Sequence, residues 1–148
     1  MNEDRFWQLI DSTLSVADDE GEREALLWDQ LRAFPPQEVA EFAWIFDDMI
    51  DRAEDGNGHE AWVMYDGVGS DDGFRDFRCW LISRGRAVYE ATLRDPESLR
   101  PHVPDGESLH WESFGYVGEA VYEHLTGDEC PYHPNDHRAT GAQPLNGL

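Results

Sequence analysis

The sequence predicts a single, mainly α-helical domain of about six helices over residues 1–127, followed by a loose C-terminal tail over residues 128–148. The chain has 148 residues and is 40% hydrophobic, which is enough apolar material for one substantial core. In several separate segments the apolar residues recur at the spacing of one helix face, and glycine and proline separate these segments. We expect at most one short strand, near residues 61–65.

Three helices are expected in the first part of the chain. They cover roughly residues 6–14, 20–34 and 36–54. The third has the clearest pattern, because one apolar stripe runs along its whole length. That stripe consists of Val39, Phe42, Ala43, Phe46, Met49, Ile50 and Ala53.

Three further helices are expected in the rest of the chain. The fourth begins at Ser70, because a serine followed by two aspartates suits the first turn of a helix. The fifth covers residues 88–93, and the sixth covers residues 111–125 and ends at Gly127. Residues 95–108 contain three prolines and are expected to form a loop with one turn.

The charge of the chain excludes several classes of function. Acidic residues number 32 against 11 basic residues, all arginine, and the formal net charge is −21. A surface of this charge repels nucleic-acid phosphate and anionic lipid, because binding either one requires a basic patch. No apolar stretch approaches the roughly 20 residues of a membrane span. We therefore expect no direct nucleic-acid binding, no membrane association and, if there is a partner, a basic protein.

The compartment can also be inferred from the sequence. The acidic residues Glu3 and Asp4 stand where a secretory signal peptide would be basic. Two cysteines, Cys79 and Cys130, do not make a disulfide framework. Both observations favour a cytoplasmic protein.

Several strings of the sequence form a recognisable set. They are Phe6-Trp7-x-Leu9-Ile10, the block Glu38 to Arg52 around Phe46-Asp47-Asp48-Met49, Ser70-Asp71-Asp72-Gly73-Phe74-x-x-Phe77-Arg78-x-Trp80-Leu81-Ile82, Asp95-Pro96-x-Ser98-Leu99 and Phe114-Gly115-Tyr116-Val117. With these strings the chain resembles, over residues 1–127, a bacterial family known as domain of unknown function 4240. The resemblance implies a helical cytosolic domain that occurs alone or fused to other modules. It implies no activity and no catalytic residue.

Aspartates on the third and fourth helices form the most distinctive polar pattern. Asp47 and Asp51 lie one turn apart on one helix face, where two carboxylates could hold Mg²⁺ together with a phosphorylated substrate. If the fourth helix packs against the third, Asp71 and Asp72 come close to them. The four aspartates are therefore a candidate site for a divalent metal.

Two arginines of the fourth helix, Arg75 and Arg78, are candidate partners for these carboxylates or for a substrate phosphate. Simpler interpretations stay open. The second pair of aspartates favours the start of a helix through the helix dipole, and Asp48 can pair with Arg52 one turn later.

A second candidate metal site lies near the C-terminus. Cys130, His133 and His137 have the spacing C-x-x-H-x-x-x-H, and thiolate and imidazole are ligands that Zn²⁺ prefers. A closed structural zinc site needs four ligands, and this motif supplies only three. A polar tail without metal is the alternative.

Two functions of different class follow. The first is a protein-interaction or regulatory module that docks on a basic partner, because a strongly acidic surface speeds encounter with a cationic one. The second is a small metal-assisted enzyme that acts on a phosphorylated substrate through the aspartate-rich cleft. A third possibility is that the acidic residues serve only solubility.

Overall fold

The computed structural model describes residues 1–15, 19–66, 71–105 and 109–134, apart from the side chains of residues 71 and 72. These residues form α-helices and 3₁₀ helices and no strand, which confirms the mainly α-helical fold. The α-helices are α1 (Glu3–Leu14), α2 (Glu20–Leu31), α3 (Pro36–Arg52), α4 (Asn57–Tyr65), α5 (Asp71–Ser83), α6 (Arg86–Arg94) and α7 (Val117–Thr126). Two 3₁₀ helices cover Pro96–His102 and Ser113–Tyr116. No helix among the described residues combines the length and apolar character needed to cross a lipid bilayer.

Helix α3 lies at the centre of the fold and packs against α1, α5 and most closely α7. Every residue of its predicted apolar stripe is buried. The ring of Phe6 on α1 lies 4.9 Å from that of Phe42, and the ring of Phe114 lies 6.1 Å from that of Phe46. The aromatic side chains of α3 therefore connect the first and last parts of the chain.

Local sequence signals set where several helices begin. Asn2 and Asp19 each accept a hydrogen bond from a backbone N–H in the first turn of the helix that follows. Between α5 and α6 the chain turns at Gly85, whose φ is +99°. This backbone conformation strains any residue that has a side chain, so the turn favours glycine. Asp11 of α1 accepts a hydrogen bond from the N–H of Arg86, at the start of α6.

The sequence allowed at most one short strand near residues 61–65, and the structure resolves this segment as the second half of α4. Ala61 and Trp62 are buried while Val63 and Met64 are exposed. A strand would alternate buried and exposed residues, whereas this two-and-two pattern fits a helix. The ring of Trp62 stacks on that of Phe74, with centroids 4.8 Å apart, so tertiary packing selects the helix.

Two other segments differ from the sequence-based expectation. The proline-containing loop expected over residues 95–108 contains the 3₁₀ helix Pro96–His102, which Asp95 caps through its side chain and Leu99 anchors in the core. The sixth predicted helix is divided into the 3₁₀ helix Ser113–Tyr116 and α7. The fold therefore has more helices than predicted.

An arginine is buried at the junction of several elements. Arg23 on α2 is only 3% exposed, and its Nη2 donates to Thr13 Oγ1 at 2.9 Å and to the carbonyl oxygen of Ser83 at 2.6 Å. Its guanidinium lies 5.1 Å from the ring of Trp111 and 5.6 Å from that of Phe114. Burial lowers the pKa of Arg23 to about 10, so the group is still a cation near neutral pH. It joins α1, α2, α5 and the segment before α7.

We expect the substitution Arg23→Ala to lower the free energy of unfolding by about 2–4 kcal/mol, because it leaves a buried carbonyl without its donor and opens a cavity. The change is measured by urea denaturation followed by circular dichroism. Arg32→Ala is the matched control, since Arg32 pairs on the surface with Asp29 and its loss should cost less than about 0.5 kcal/mol. Equal effects of the two substitutions would contradict the role assigned to Arg23.

Candidate functional site

A cavity of about 550 Å³ lies where α3, α5, α7 and the residues after α7 meet. Its polar lining is mostly acidic. The carboxylates are Asp47, Asp51, Glu119, Glu123 and Glu129, and the basic residue is Arg75. The remaining lining residues are Ala43, Trp44, Tyr116, Cys130, Pro131, Tyr132 and His133.

The acidic side chains reach the cavity because of their helical spacing. Asp47 and Asp51 are one turn apart on α3, and Glu119 and Glu123 are one turn apart on α7. The two helices approach closely at Gly118, where an added Cβ would lie 3.1 Å from a ring carbon of Phe42. The close packing of α3 on α7 therefore places two carboxylate pairs along one cavity.

The first residues of the predicted C-terminal tail form one wall of the cavity. Trp44 Nε1 on α3 donates to the carbonyl oxygen of Pro131 at 2.9 Å. The ring of Trp44 also lies 5.6 Å from that of His133, whose Nε2 is 3.8 Å from a carboxylate oxygen of Asp48. Pro131 and His133 thus contact α3, and residues 135–148 lie outside the described part of the chain.

Arg75 is the predicted arginine that reaches the cavity. Its Nη2 lies 3.8 Å from Asp47 Oδ1, and its guanidinium lies 5.7 Å from the ring of Tyr116. Burial acts to lower the pKa of Arg75, but Cys79, Tyr116 and Asp47 together raise it above the ordinary value. The group is therefore a permanent cation that offsets part of the charge of the aspartates on α3.

Arg78, the other predicted arginine, does not line the cavity. It is 8% exposed, and its Nη1 donates to the carbonyl oxygen of Ile50 at 2.9 Å. Its guanidinium lies 4.2 Å from the ring centroid of Phe74, and burial lowers its pKa. Arg78 joins α5 to α3 inside the core, where it is not placed to clamp a substrate phosphate.

The structure describes only some of the predicted metal ligands. Asp47 and Asp51 line the same cavity as Cys130 and His133. The side chains of residues 71 and 72, and the whole of His137, lie outside the described part of the chain. Among the described side chains, His, Cys, Asp and Glu form no group of three or more placed to hold a metal ion. Both metal sites stay predictions.

The interpretation of Asp48 and Arg52 as a pair needs revision. Arg52 donates a hydrogen bond to Glu3 on α1, and Asp48 lies beside His133 instead. The reason is tertiary, since α1 brings a carboxylate to Arg52 from outside its own helix. The pairing with Arg52 also lowers the pKa of Glu3.

Several lining residues were not found from the sequence. The glutamates of α7 at positions 119 and 123 have the same one-turn spacing as Asp47 and Asp51, and that spacing was the available signal. Tyr116 and Tyr132 give no such signal, because neither belongs to a periodic pattern. Only packing shows that they border an acidic cavity.

The pKa of the Cys130 thiol reflects the burial and the negative charge of the cavity. Burial, followed by the negative charges of Glu119, Asp47 and Glu123, raises the pKa of its thiol to about 11. Each of these effects disfavours the thiolate, which is the form that binds zinc or attacks an electrophile. Without a metal, Cys130 is therefore a protonated thiol near neutral pH.

We expect the alkylation of Cys130 by iodoacetamide to be slow near neutral pH and still rising about tenfold per pH unit at a pH of about 9, since only the thiolate reacts. Mass spectrometry of the peptide that contains Cys130 measures the rate separately from that of Cys79. The variant Glu119→Gln should react faster at each pH, because it removes one of the charges that raise the pKa. A rate that levels off near neutral pH would contradict this account.

Comparison with known proteins gives a family but no activity. The sequence model of a family described as a protein of unknown function, DUF4240, matches residues 1–124. No curated protein and no solved structure matches the chain. The match covers α1 to α6 and most of α7, whereas Glu129, Cys130 and His133 lie beyond it. The chain therefore belongs to the DUF4240 family.

Proposed function

We propose that this protein is an interaction module whose acidic cavity binds a cationic side chain of a basic protein partner. The observation that carries the proposal is the lining of the cavity, in which five carboxylates face one arginine. Its volume of about 550 Å³ lies within the range of roughly 300–1,000 Å³ that is typical of ligand pockets. A guanidinium or ammonium group entering it would find negative charge on several sides.

The aromatic residues of the lining support the same chemistry. Trp44, Tyr116 and Tyr132 border the cavity beside the carboxylates, and the faces of such rings attract cations. The structure already contains a pairing of this kind, since the guanidinium of Arg75 lies 5.7 Å from the Tyr116 ring. Arginine is the better candidate ligand, because its planar group can stack on a ring while it pairs with a carboxylate.

The charge of the whole chain supports the association of such a partner. At −21 the protein attracts a cationic surface from a distance and raises the rate of encounter. Long-range attraction increases the association rate and the selectivity more than it increases the affinity. The affinity must therefore come from close contacts in the cavity. We extend the proposal to a regulatory role for this binding. We place the protein in the bacterial cytoplasm, which the resemblance to a bacterial family and the low cysteine content support.

We expect a short capped peptide in which arginine alternates with serine to bind the protein, with an affinity that falls as salt rises from about 50 to about 300 mM. The double variant Asp51→Asn with Glu123→Gln should bind it about tenfold more weakly, since it removes two charges from the cavity. Isothermal titration calorimetry measures both effects.

The matched control is the double variant Asp55→Asn with Glu112→Gln. It removes the same net charge from two exposed positions outside the cavity lining. It should bind the peptide almost as well as the unmodified protein. An equal loss in the two double variants would mean that only the diffuse charge attracts the peptide, and the proposal of a specific cavity would then be wrong.

The metal-assisted alternative depends on the same cavity, because Asp47 and Asp51 both line it. The pairing of Asp47 with Arg75 already offsets part of the repulsion between the two aspartates, which favours the interaction module. We therefore expect MgCl₂ at about 5 mM to change the melting temperature no more than NaCl of matched ionic strength. A larger rise with MgCl₂ that Asp51→Asn abolishes would support the metal-assisted enzyme instead.

A further inference from the structure

A second, apolar depression lies on the other side of α7. It has a volume of about 420 Å³ and runs between α2 and α7. Its lining is Glu24, Ala25, Trp28, Ser113, Tyr116, Val117 and Ala120, and we call it the α2–α7 groove. The alanines leave space between the two helices, and Trp28 forms part of its wall. Such a groove fits an apolar side chain of moderate size.

The polar groups at the edge of the groove are already engaged. Glu24 Oε2 accepts hydrogen bonds at 2.9 Å from both Trp111 Nε1 and Ser113 Oγ. Turning this carboxylate toward a ligand would leave the indole N–H and the hydroxyl without that acceptor. The groove therefore offers a ligand apolar contact in preference to hydrogen bonding.

The groove and the acidic cavity are neighbours that share one residue. Tyr116 lines both, and it is 39% exposed. Along α7 the groove is lined by Val117 and Ala120, and the cavity by Glu119 and Glu123. One face of α7 thus lines the groove and another lines the cavity, so a single bound segment can pass over Tyr116, just before α7, and reach both.

We propose that the α2–α7 groove binds an apolar side chain of the same basic partner that places a cation in the acidic cavity. The recognised segment is then amphipathic, with a large aliphatic or aromatic residue next to an arginine. The inference rests on the proposed function, and it adds what the partner must carry beyond positive charge.

Charge decides between this occupant and a second copy of the chain. A second copy would bring another net charge of −21 to a groove that lies next to the acidic cavity, which opposes association. A segment with arginine beside the apolar residue is attracted by those same carboxylates. The cavity next to the groove thus selects a cationic partner.

The test uses two capped peptides that differ only in apolar character. One alternates arginine with serine, and the other alternates arginine with leucine. We expect the leucine peptide to bind the full chain at least about tenfold more tightly, since burying one leucine side chain is worth that much affinity. Isothermal titration calorimetry at constant salt concentration measures both affinities.

Two substitutions test whether the tighter binding of the leucine peptide comes from contacts in the groove. Ala25→Gln on α2 and Ala120→Gln on α7 fill it without changing charge, and each should remove most of the gain while leaving the binding of the serine peptide unchanged. Ala25 is exposed, so this variant is expected to fold even if Ala120→Gln does not. Ala87→Gln, at an exposed position on α6, is the control and should keep the gain.

The outcomes separate the two proposals. If both peptides bind the full chain equally, the inference about the groove is wrong and the acidic cavity stands. A gain that persists in both groove variants also overturns it. If neither peptide binds, the proposed function itself fails. If sedimentation velocity shows a dimer that Ala25→Gln dissociates, a second copy fills the groove and the inference is wrong.

Discussion

The arrangement of the molecule depends on the close contact between α3 and α7. Gly118 permits it, because the space beside its Cα is taken by the ring of Phe42 and the methyl group of Ala43. An added Cβ would lie 3.1 Å from a ring carbon of Phe42, so a side chain here requires its neighbours to shift, and overpacking of this kind is commonly destabilising. The same contact turns two ordinary helical patterns into one acidic cavity, since each helix presents a pair of carboxylates along it. The packing of apolar groups and the concentration of charge are therefore consequences of one interface.

Three arginines show how an acidic protein uses its few cations inside the fold. Arg23 and Arg78 are buried and donate to backbone carbonyl oxygens, and both lie over aromatic rings. Such contacts satisfy a buried guanidinium without a carboxylate partner, which suits the planar group of arginine and not the ammonium of lysine. Arg75 lies at the cavity and pairs with Asp47. The buried cations join helices, while the cavity keeps a net negative charge.

The surface around α7 combines two kinds of attraction over a short distance. Carboxylates on one side raise the rate and the selectivity of association with a cationic group. The groove on the other side offers apolar surface that a ligand can bury. Tyr116 borders both, so an amphipathic ligand would meet it from either side. Interfaces commonly gain most of their affinity from a few such aromatic residues. This surface is where the proposals for this member of the DUF4240 family converge.

The sequence by itself determined the helical class, the apolar stripe of α3 and the end of the last helix near Gly127, because spacing, propensity and chain breakers act locally. It also singled out Asp47, Asp51 and Arg75, and the structure places all three at one cavity. Tertiary structure decided that residues 61–65 are helical, that Arg78 is buried, that Arg52 pairs with Glu3 and that Tyr116 separates an acidic cavity from an apolar groove. Those outcomes depend on contacts between residues far apart in the chain. No local pattern of residues determines which helices pack against each other.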